Sequence, residues 1–360
     1  MSDIRMWDGG MGSGAVSSGQ GSAAEIRGLN LVVDRPGGPV PVVSDVSLSI
    51  GRGEIVGLVG ESGSGKTLTG LAMAGLLPTK IRRVSGDIEV AGRLVEGAAA
   101  NIGRGSRRDG IAVVFQNPMT SLNPSMRVGA QVAEALRIHQ PGLSRRAAAL
   151  GAVELFERVE IPDASARAKQ YPYEFSGGMR QRVMIAIALA CNPAVLIADE
   201  PTTALDVTVQ RGVMDLLQRL CTELDLGVLL VSHDLAVVSE RCDRLMVMYS
   251  GEIVETGGVD EVLAVPLHPY VGRLLGCAPD RVASIDELRA LPGRVPQPGE
   301  VEHGCKFAGR CDLRFDKCEA DAPQLIEVLT GRSARCHLAN SRAGLDLTFL
   351  ESPILIGGNR

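Results

Sequence analysis

Short apolar runs alternate with stretches of helical periodicity through most of the chain. Runs that read as buried strands are residues 55–59, 111–115, 195–198 and 227–231. Apolar residues recur with helical spacing at 68–77, 129–138, 144–159, 181–190 and 207–224. Buried strands that alternate with helices predict a mainly parallel sheet with helices on both faces.

Three further segments have the pattern of β-hairpins. Residues 26–33 and 42–50 are rich in β-branched residues and are separated by Pro36-Gly37-Gly38-Pro39. Residues 86–90 and 93–95 meet at Ala91-Gly92, and residues 244–248 and 252–256 flank Ser250-Gly251. Glycine and proline between such runs favour tight connections. The first two hairpins predict an antiparallel layer beside the parallel sheet.

Composition divides the chain into four parts. Residues 1–24 are rich in glycine and serine and are predicted to be a disordered tail. Residues 25–270 form the predicted α/β domain, and proline, glycine and charge increase in 271–340, which predicts a small appended module. Residues 341–360 are interpreted as a second tail.

Charge and hydropathy restrict the class of protein. Hydrophobic residues make up 45% of the chain, enough for a sizeable core, and the net charge of −5 gives no reason to expect nucleic acid as a partner. No apolar run approaches the roughly 20 residues that span a bilayer. The N-terminus lacks the features of a secretory signal. These patterns predict a soluble, cytoplasmic protein.

One glycine-rich loop has a specific chemistry. The segment fits G-x-x-x-x-G-K-S/T, between a predicted strand and a predicted helix, and consists of Gly60, Glu61, Ser62, Gly63, Ser64, Gly65, Lys66 and Thr67. Its backbone N–H groups and the positive end of the helix favour a phosphate. Lys66 can reach the outer phosphates, and the Thr67 hydroxyl can bind Mg²⁺. The pattern predicts a nucleoside triphosphate site. We include Thr69 among the residues predicted to bind the nucleotide.

Polar residues at three strand ends complete the predicted site. Asp199 and Glu200 follow one buried strand, where an α/β sheet presents its ligands. Asp199 suits Mg²⁺, and Glu200 can orient or deprotonate a water. Gln116 can reach the metal or the attacking water, and His233 can contact the terminal phosphate. We therefore predict Glu200, His233, Gln116 and Lys66 as catalytic, and Thr67, Gln116 and Asp199 as magnesium ligands.

Taken together, these motifs resemble the ATP-binding subunits of ABC transporters, in the dipeptide, oligopeptide and nickel importer branch. The Walker A loop at 60–67, Gln116, the signature Ser176-Gly177-Gly178, the Walker B strand at 195–199, Glu200, the D-loop Ala204-Leu205-Asp206 and His233 occur in the order of the family. The resemblance covers about residues 25–340, and includes His268-Pro269-Tyr270 and the terminal cysteines. It implies a P-loop ABC nucleotide-binding domain with an antiparallel β-subdomain, a helical subdomain and a C-terminal module.

The resemblance also implies a mechanism and partners. Ser176, Gly177, Gly178 and Asp206 would contact an ATP molecule that is held by the P-loop of a second ATP-binding subunit, the same chain or a homologue. Glu200 would position the water for hydrolysis. Two membrane permeases and an extracytoplasmic substrate-binding protein are the further partners, which would place the chain on the cytoplasmic face of the membrane.

Two features depart from the family pattern, the signature sequence and the residue expected beside adenine. The signature reads Phe-Ser-Gly-Gly-Met instead of Leu-Ser-Gly-Gly-Gln. The aromatic residue that stacks on adenine in the family is expected near Val33, where the residues are aliphatic. The expectation of ATP instead of GTP therefore depends on the resemblance.

Four cysteines crowd into the C-terminal part of the chain. Cys305, Cys311, Cys318 and Cys336 have the spacing C-x5-C-x6-C-x17-C, unlike the C-x2-C pairs of zinc fingers. Four thiolates suit a 4Fe–4S cluster or zinc, and the branch carries an iron–sulfur cluster in some members. Of the three possible states of these cysteines we favour a 4Fe–4S cluster, with bound zinc as the second choice and unligated thiols as the third.

Two other functions are compatible with a single cassette. One is a soluble ABC ATPase of DNA repair or translation, but such proteins usually have two cassettes, a long coiled coil or basic patches. The other is a cassette that binds ATP without hydrolysing it, against which Glu200 and His233 argue. The favoured prediction is an ATPase subunit that powers import of di- or oligopeptides.

Overall fold

Two β-sheets organise the residues that the computed structural model describes, which are 21–95, 110–116, 121–203, 205–277, 291 and 293–341. The strands are β1 Ser22–Arg35, β2 Gly38–Gly51, β3 Ile55–Val59, β4 Ile81–Val90, β5 Arg93–Leu94, β6 Ile111–Val114, β7 Val195–Asp199, β8 Gly227–Ser232, β9 Arg244–Tyr249, β10 Glu252–Gly258, β11 Ile326–Leu329 and β12 Arg332–Ala334. The larger sheet has the order β11-β12-β10-β9-β3-β8-β7-β6, and the smaller has the order β2-β1-β4-β5.

The centre of the larger sheet is parallel. Strand β3 pairs with β8 and β9, and β7 pairs with β8 and β6, all in parallel. Every residue of β3 and β8 is buried, as expected for strands covered on both faces. Ile55 and Val59 face a core formed with the helices, whereas Val56 and Leu58 face a core shared with the smaller sheet. The predicted α/β fold is confirmed.

The smaller sheet is antiparallel and is built on the first predicted hairpin. Its strands β1 and β2 are longer than predicted and turn tightly, with Arg35 opposite Gly38. Strand β1 begins at Ser22, which lies inside the predicted tail of residues 1–24. Residues 1–20, the larger part of that prediction, lie outside the described residues.

The described helices include the five that periodicity predicts and six others. They are α1 Lys66–Ala74, α2 Val128–His139, α3 Arg145–Arg158, α4 Ala164–Arg167, α5 Gly177–Leu189, α6 Val207–Glu223, α7 Leu235–Arg241, α8 Val259–Ala264, α9 Pro269–Gly276, α10 Asp316–Ala320 and α11 His337–Asn340. The largest boundary errors are in α5, which begins four residues before the predicted start at Gln181, and in α1, predicted to continue to Leu77. Gly75 adopts φ 63° and donates its N–H to Ala72, which ends the helix earlier.

The C-terminal module contributes strands to the larger sheet. Strands β11 and β12 form a hairpin, and β12 pairs antiparallel with β10. Arg332 of β12 donates to the buried carboxylate of Glu255 in β10 at 2.9 Å. The larger sheet therefore contains strands from both sides of the predicted boundary at residue 271, and the division into domains stays a prediction. None of the helices in the described residues combines the length and the hydropathy that a membrane-spanning helix needs.

Candidate functional site

The glycine-rich loop connects β3 to α1, as predicted. A Cβ atom at Gly60 would lie 2.1 Å from the carbonyl oxygen of Met248 in β9, so only glycine fits there. Gly65, the residue before α1, has φ 104°, a conformation that also favours glycine. Ser62 and Gly63 are exposed at the crown of the loop. The backbone groups of the loop and the N-terminus of α1 therefore face the same region of the site.

Lys66 is buried within this loop. Its Nζ donates to the carbonyl oxygens of Gly60 at 2.7 Å and Glu61 at 3.0 Å, and lies 3.5 Å from Ser64 Oγ. Burial lowers the pKa of Lys66, while the carboxylates of nearby acidic residues act in the opposite direction. The ammonium is therefore poised beside the loop backbone, where the outer phosphates of a nucleotide would meet it.

Thr67 and Asp199 meet across the site. The Thr67 hydroxyl donates to Asp199 Oδ1 at 3.1 Å, although the two residues belong to α1 and β7. Burial raises the pKa of Asp199, and the hydrogen bond from Thr67 opposes that shift. Hydroxyl and carboxylate oxygens are ligands that suit Mg²⁺. The predicted Mg²⁺ ligands Thr67 and Asp199 are thus adjacent.

Glu200 is at the centre of a hydrogen-bond network. Its backbone φ is 48°, and its carboxylate accepts from Gln116 Nε2 at 2.6 Å and Thr203 Oγ1 at 2.9 Å. His233 Nδ1 lies 2.9 Å from the other carboxylate oxygen. Burial acts to raise the pKa of Glu200, but the hydrogen bonds from His233 and Thr203 outweigh it, so this pKa is lowered. The carboxylate is thus ionised and oriented.

Gln116 therefore contacts the predicted catalytic carboxylate, whereas its role as a magnesium ligand stays a prediction. Thr69, predicted to contact nucleotide, is buried inside α1, and its hydroxyl donates to the carbonyl of Gly65 at 3.1 Å. Its hydroxyl contributes to the helix start instead of projecting from the loop.

The signature and the D-loop pack against each other. Ser176 is the N-cap of α5, and Asp206 caps α6 by accepting from the Val209 N–H at 3.0 Å. A Cβ at Gly178 would lie 2.2 Å from Val209 Cγ1, so the first turn of α5 touches α6 closely. Both caps are satisfied within this chain, and Ser176, Gly177 and Asp206 are exposed at the two helix starts. Ala204 lies outside the described residues.

Sequence reasoning missed several contacts of the site. Thr203, whose hydroxyl donates to the Glu200 carboxylate, follows Glu200 by three residues and could have been found from that spacing. The Tyr270 hydroxyl accepts the N–H of Glu61 at 3.0 Å, and Arg310 binds the Glu61 carboxylate at 2.9 Å. These partners lie far from the loop in sequence, so no local pattern indicates them.

The four clustered cysteines face one small cavity. Its lining includes Cys305, Cys311, Cys318 and Cys336 together with Phe307 and His337. Burial raises the pKa of Cys305 to about 12 and also raises the pKa of Cys311 and Cys336. Backbone N–H groups near these three sulfurs act to lower the pKa, but burial outweighs them, so the protonated thiols are favoured.

The four sulfurs that line this cavity are donors that suit a soft metal. Within the described residues no group of three or more His, Cys, Asp or Glu side chains is placed to hold a metal ion. The structure therefore brings together the cysteines that the sequence grouped, without the geometry of a formed metal site.

This combination of P-loop, strand-end carboxylates and signature helix on a mixed sheet defines an ABC-type ATPase. Family models agree: "ABC transporter" matches residues 43–203, and "Oligopeptide/dipeptide transporter, C-terminal region" matches residues 254–318. A dimeric ATP-binding cassette bound to ADP and phosphate has a TM-score of 0.56 at 28% identity, over 66% of this chain and 98% of that one. The protein cbiO1 of Clostridium perfringens, part of an ABC transporter complex, has a TM-score of 0.57 at 26% identity, over 68% of this chain and 91% of that one.

Curated relatives are more similar still. A putative peptide import ATP-binding protein of Brucella abortus is 46% identical over 87% of this chain and 93% of its own length. The oligopeptide transport ATP-binding protein AppD of Bacillus subtilis is 44% identical over 87% of this chain and 96% of its own length. The chain belongs to the ABC transporter ATP-binding family, in the group with the oligopeptide/dipeptide C-terminal region.

Proposed function

We propose that this chain is the ATP-hydrolysing subunit of an importer for di- or oligopeptides. The observation that carries the proposal is the convergence of Lys66, the Thr67–Asp199 pair and the Glu200 network at one edge of the parallel sheet. The names of the similar Brucella and Bacillus proteins support peptides as the cargo.

The residues divide the work of hydrolysis. Lys66 leaves its backbone partners and binds the outer phosphates, where its charge offsets the charge that develops during transfer. Glu200 orients the attacking water through its ionised carboxylate, and His233 holds that carboxylate in place. When bound beside Thr67 and Asp199, Mg²⁺ supplies charge neutralisation for the phosphates.

The signature acts on a second cassette, whether a copy of this chain or a homologous subunit. Ser176, Gly177, Gly178 and Asp206 present capped helix starts on the same chain, which favour the phosphate of a nucleotide held by a partner. ATP would then lie between two chains and hold them together until hydrolysis. The dimeric cassette with ADP and phosphate supports this arrangement.

The proposed complex has two permeases, two cassettes and an extracytoplasmic binding protein, with this chain peripheral on the cytoplasmic face of the membrane. Its test is purification with the candidate permeases, followed by uptake of labelled peptide into proteoliposomes. We expect uptake only with ATP, and none with Lys66→Ala. Co-purification with nucleic acid or ribosomes in place of permeases would instead favour the repair or translation ATPase.

For the cysteine cavity we propose a metal bound by Cys305, Cys311, Cys318 and Cys336, a 4Fe–4S cluster first and zinc second. The shared cavity and its four sulfur donors support it. Anaerobically purified protein should be brown, with about four irons and four sulfides per chain. Cys318→Ser should lose them, whereas the control Cys221→Ser, a buried cysteine elsewhere, should not. Colourless protein with stoichiometric zinc would reject the cluster.

A further inference from the structure

The segment between the first two clustered cysteines packs against the ATPase core. Lys306 Nζ donates to the carbonyl of Ser250 at 2.9 Å and lies 3.1 Å from the carboxylate of Glu252. The buried ring of Phe307 meets Tyr249 edge-on, with ring centroids 5.2 Å apart. This segment is therefore fixed to the turn that follows β9.

Arg310 extends this contact to the P-loop. Its Nη1 donates to Glu61 Oε1 at 2.9 Å and its Nη2 to Glu61 Oε2 at 3.2 Å, a two-pronged ion pair. Nη1 also lies 3.3 Å from the Tyr249 hydroxyl. The Arg310 side chain is 7% exposed and that of Glu61 is 27% exposed. Paired guanidinium and carboxylate groups of this geometry fix position and orientation together.

Glu61 is held through all three of its polar groups. Its carboxylate binds Arg310, its N–H donates to the Tyr270 hydroxyl at 3.0 Å, and its carbonyl accepts from Lys66 at 3.0 Å. When Lys66 turns to a phosphate, the third bond is lost and the other two remain. Glu61, the second residue of the P-loop, is then anchored from outside the loop by Arg310 and Tyr270, while its carbonyl still accepts the Ser64 N–H at 3.2 Å.

Stability alone is a weak explanation for such a pair. Burying an ion pair costs desolvation that its attraction often only balances. The same module has an exposed pair of equal chemistry, Arg294 with Glu300, at 2.7 Å and 64% and 43% exposed. The buried pair differs in that one partner is a residue of the phosphate-binding loop.

We propose that Arg310 is a positioning residue for nucleotide binding: through Glu61 it holds the start of the P-loop in the shape that accepts a triphosphate. The inference rests on the proposed ATPase function. If Arg310 has this role, nucleotide affinity depends on residues 305–311. Glu200 and its partners follow other strands, so their geometry does not depend on Arg310.

The test is ATP affinity and steady-state turnover of the full chain, with thermal denaturation as the check on folding. For Arg310→Met we expect the Kd and KM for ATP to rise about tenfold or more, with kcat within about twofold of wild type. Arg310→Lys keeps the positive charge but loses one of the two hydrogen bonds to the Glu61 carboxylate, so its Kd for ATP should be intermediate. The matched control Arg294→Met should leave the Kd unchanged.

A double-mutant cycle with Glu61→Gln identifies the route of the effect. If Arg310 acts through Glu61, Arg310→Met adds less than about twofold to the Kd of Glu61→Gln. Additive effects, or a lower Tm with unchanged Kd, would overturn the proposal. Should Arg310→Met not fold, a wild-type Kd for Arg310→Lys overturns it. Wild-type protein that binds no ATP would overturn the proposed function as well, which separates the two failures.

Discussion

Replacing Glu200 by glutamine tests the central assignment of the site. The substitution removes the charge of the carboxylate and keeps its shape. Oε1 faces His233 Nδ1 at 2.9 Å, and Oε2 accepts from Gln116 at 2.6 Å and Thr203 at 2.9 Å. A glutamine whose carbonyl oxygen faces His233 would turn its NH₂ toward Gln116. A flip of the Gln116 amide would then restore that hydrogen bond, so the fold and the nucleotide pocket should survive.

The expected loss is therefore one of chemistry. Positioned acid–base groups contribute about 10² to 10⁴ in rate, and each tenfold corresponds to about 1.36 kcal/mol. Glu200→Gln should thus raise the barrier by about 2.7 to 5.4 kcal/mol. Since binding is kept and turnover is lost, ATP should accumulate in a closed dimer of cassettes.

The assay combines phosphate release with size-exclusion chromatography in ATP and Mg²⁺. Glu223→Gln is the matched control, because Glu223 is a surface carboxylate of α6 paired with Arg219. It should hydrolyse ATP as the wild type does and should not trap a dimer. Hydrolysis by Glu200→Gln at the wild-type rate would show that another group activates the water.

Three further predictions follow from other contacts. Lys66→Ala removes a charged donor worth about 1.5 to 3 kcal/mol, so the Kd for ATP, measured by calorimetry, should rise roughly ten- to hundredfold. Burial raises the pKa of Glu255 to about 7, above its usual 4.5, so the folded state binds the proton more tightly. Stability should then fall as pH rises from 4.5 to 7, and Glu255→Gln should flatten that slope in thermal denaturation. A Cβ at Gly86 would lie 2.5 Å from the Gly28 carbonyl at φ +95°, so Gly86→Ala should lower Tm by an amount that scanning calorimetry resolves.

Local sequence patterns predict much of the fold and several of the neighbouring residues in the candidate site. Buried strands, helix periodicity and the P-loop all depend on residues close in sequence, and the structure places Thr67 beside Asp199 and Gln116 beside Glu200 as strand-end reasoning expects. The helix that was predicted too long, α1, ended at Gly75, where a left-handed residue stops a helix before proline does.

Long-range contacts were the part that pattern could not supply. Arg310 lies 249 residues from Glu61, and its sequence neighbourhood indicated only a cysteine cluster. The hairpin of β11 and β12 carries no signal for its pairing with β10, because an antiparallel edge pairing depends on register between distant segments. The spacing of the cysteines predicted their convergence in one cavity but not the distances between their sulfurs.

The register of the parallel strands sets the geometry of the candidate site. The P-loop, His233 and Gln116 follow β3, β8 and β6, and Asp199 is the last residue of β7. These four strands are adjacent in the order β3-β8-β7-β6. The pairs Val59 with Ser232 and Asp199 with Val231 fix the relative heights of three strand ends. A slip of one residue in either pairing would turn the polar end to the opposite face of the sheet. Because β3 and β8 are fully buried, such a slip would also expose core residues. The hydrophobic core therefore sets the distances between the residues of the candidate site, and the C-terminal module contacts the start of the loop through Arg310 and Glu61.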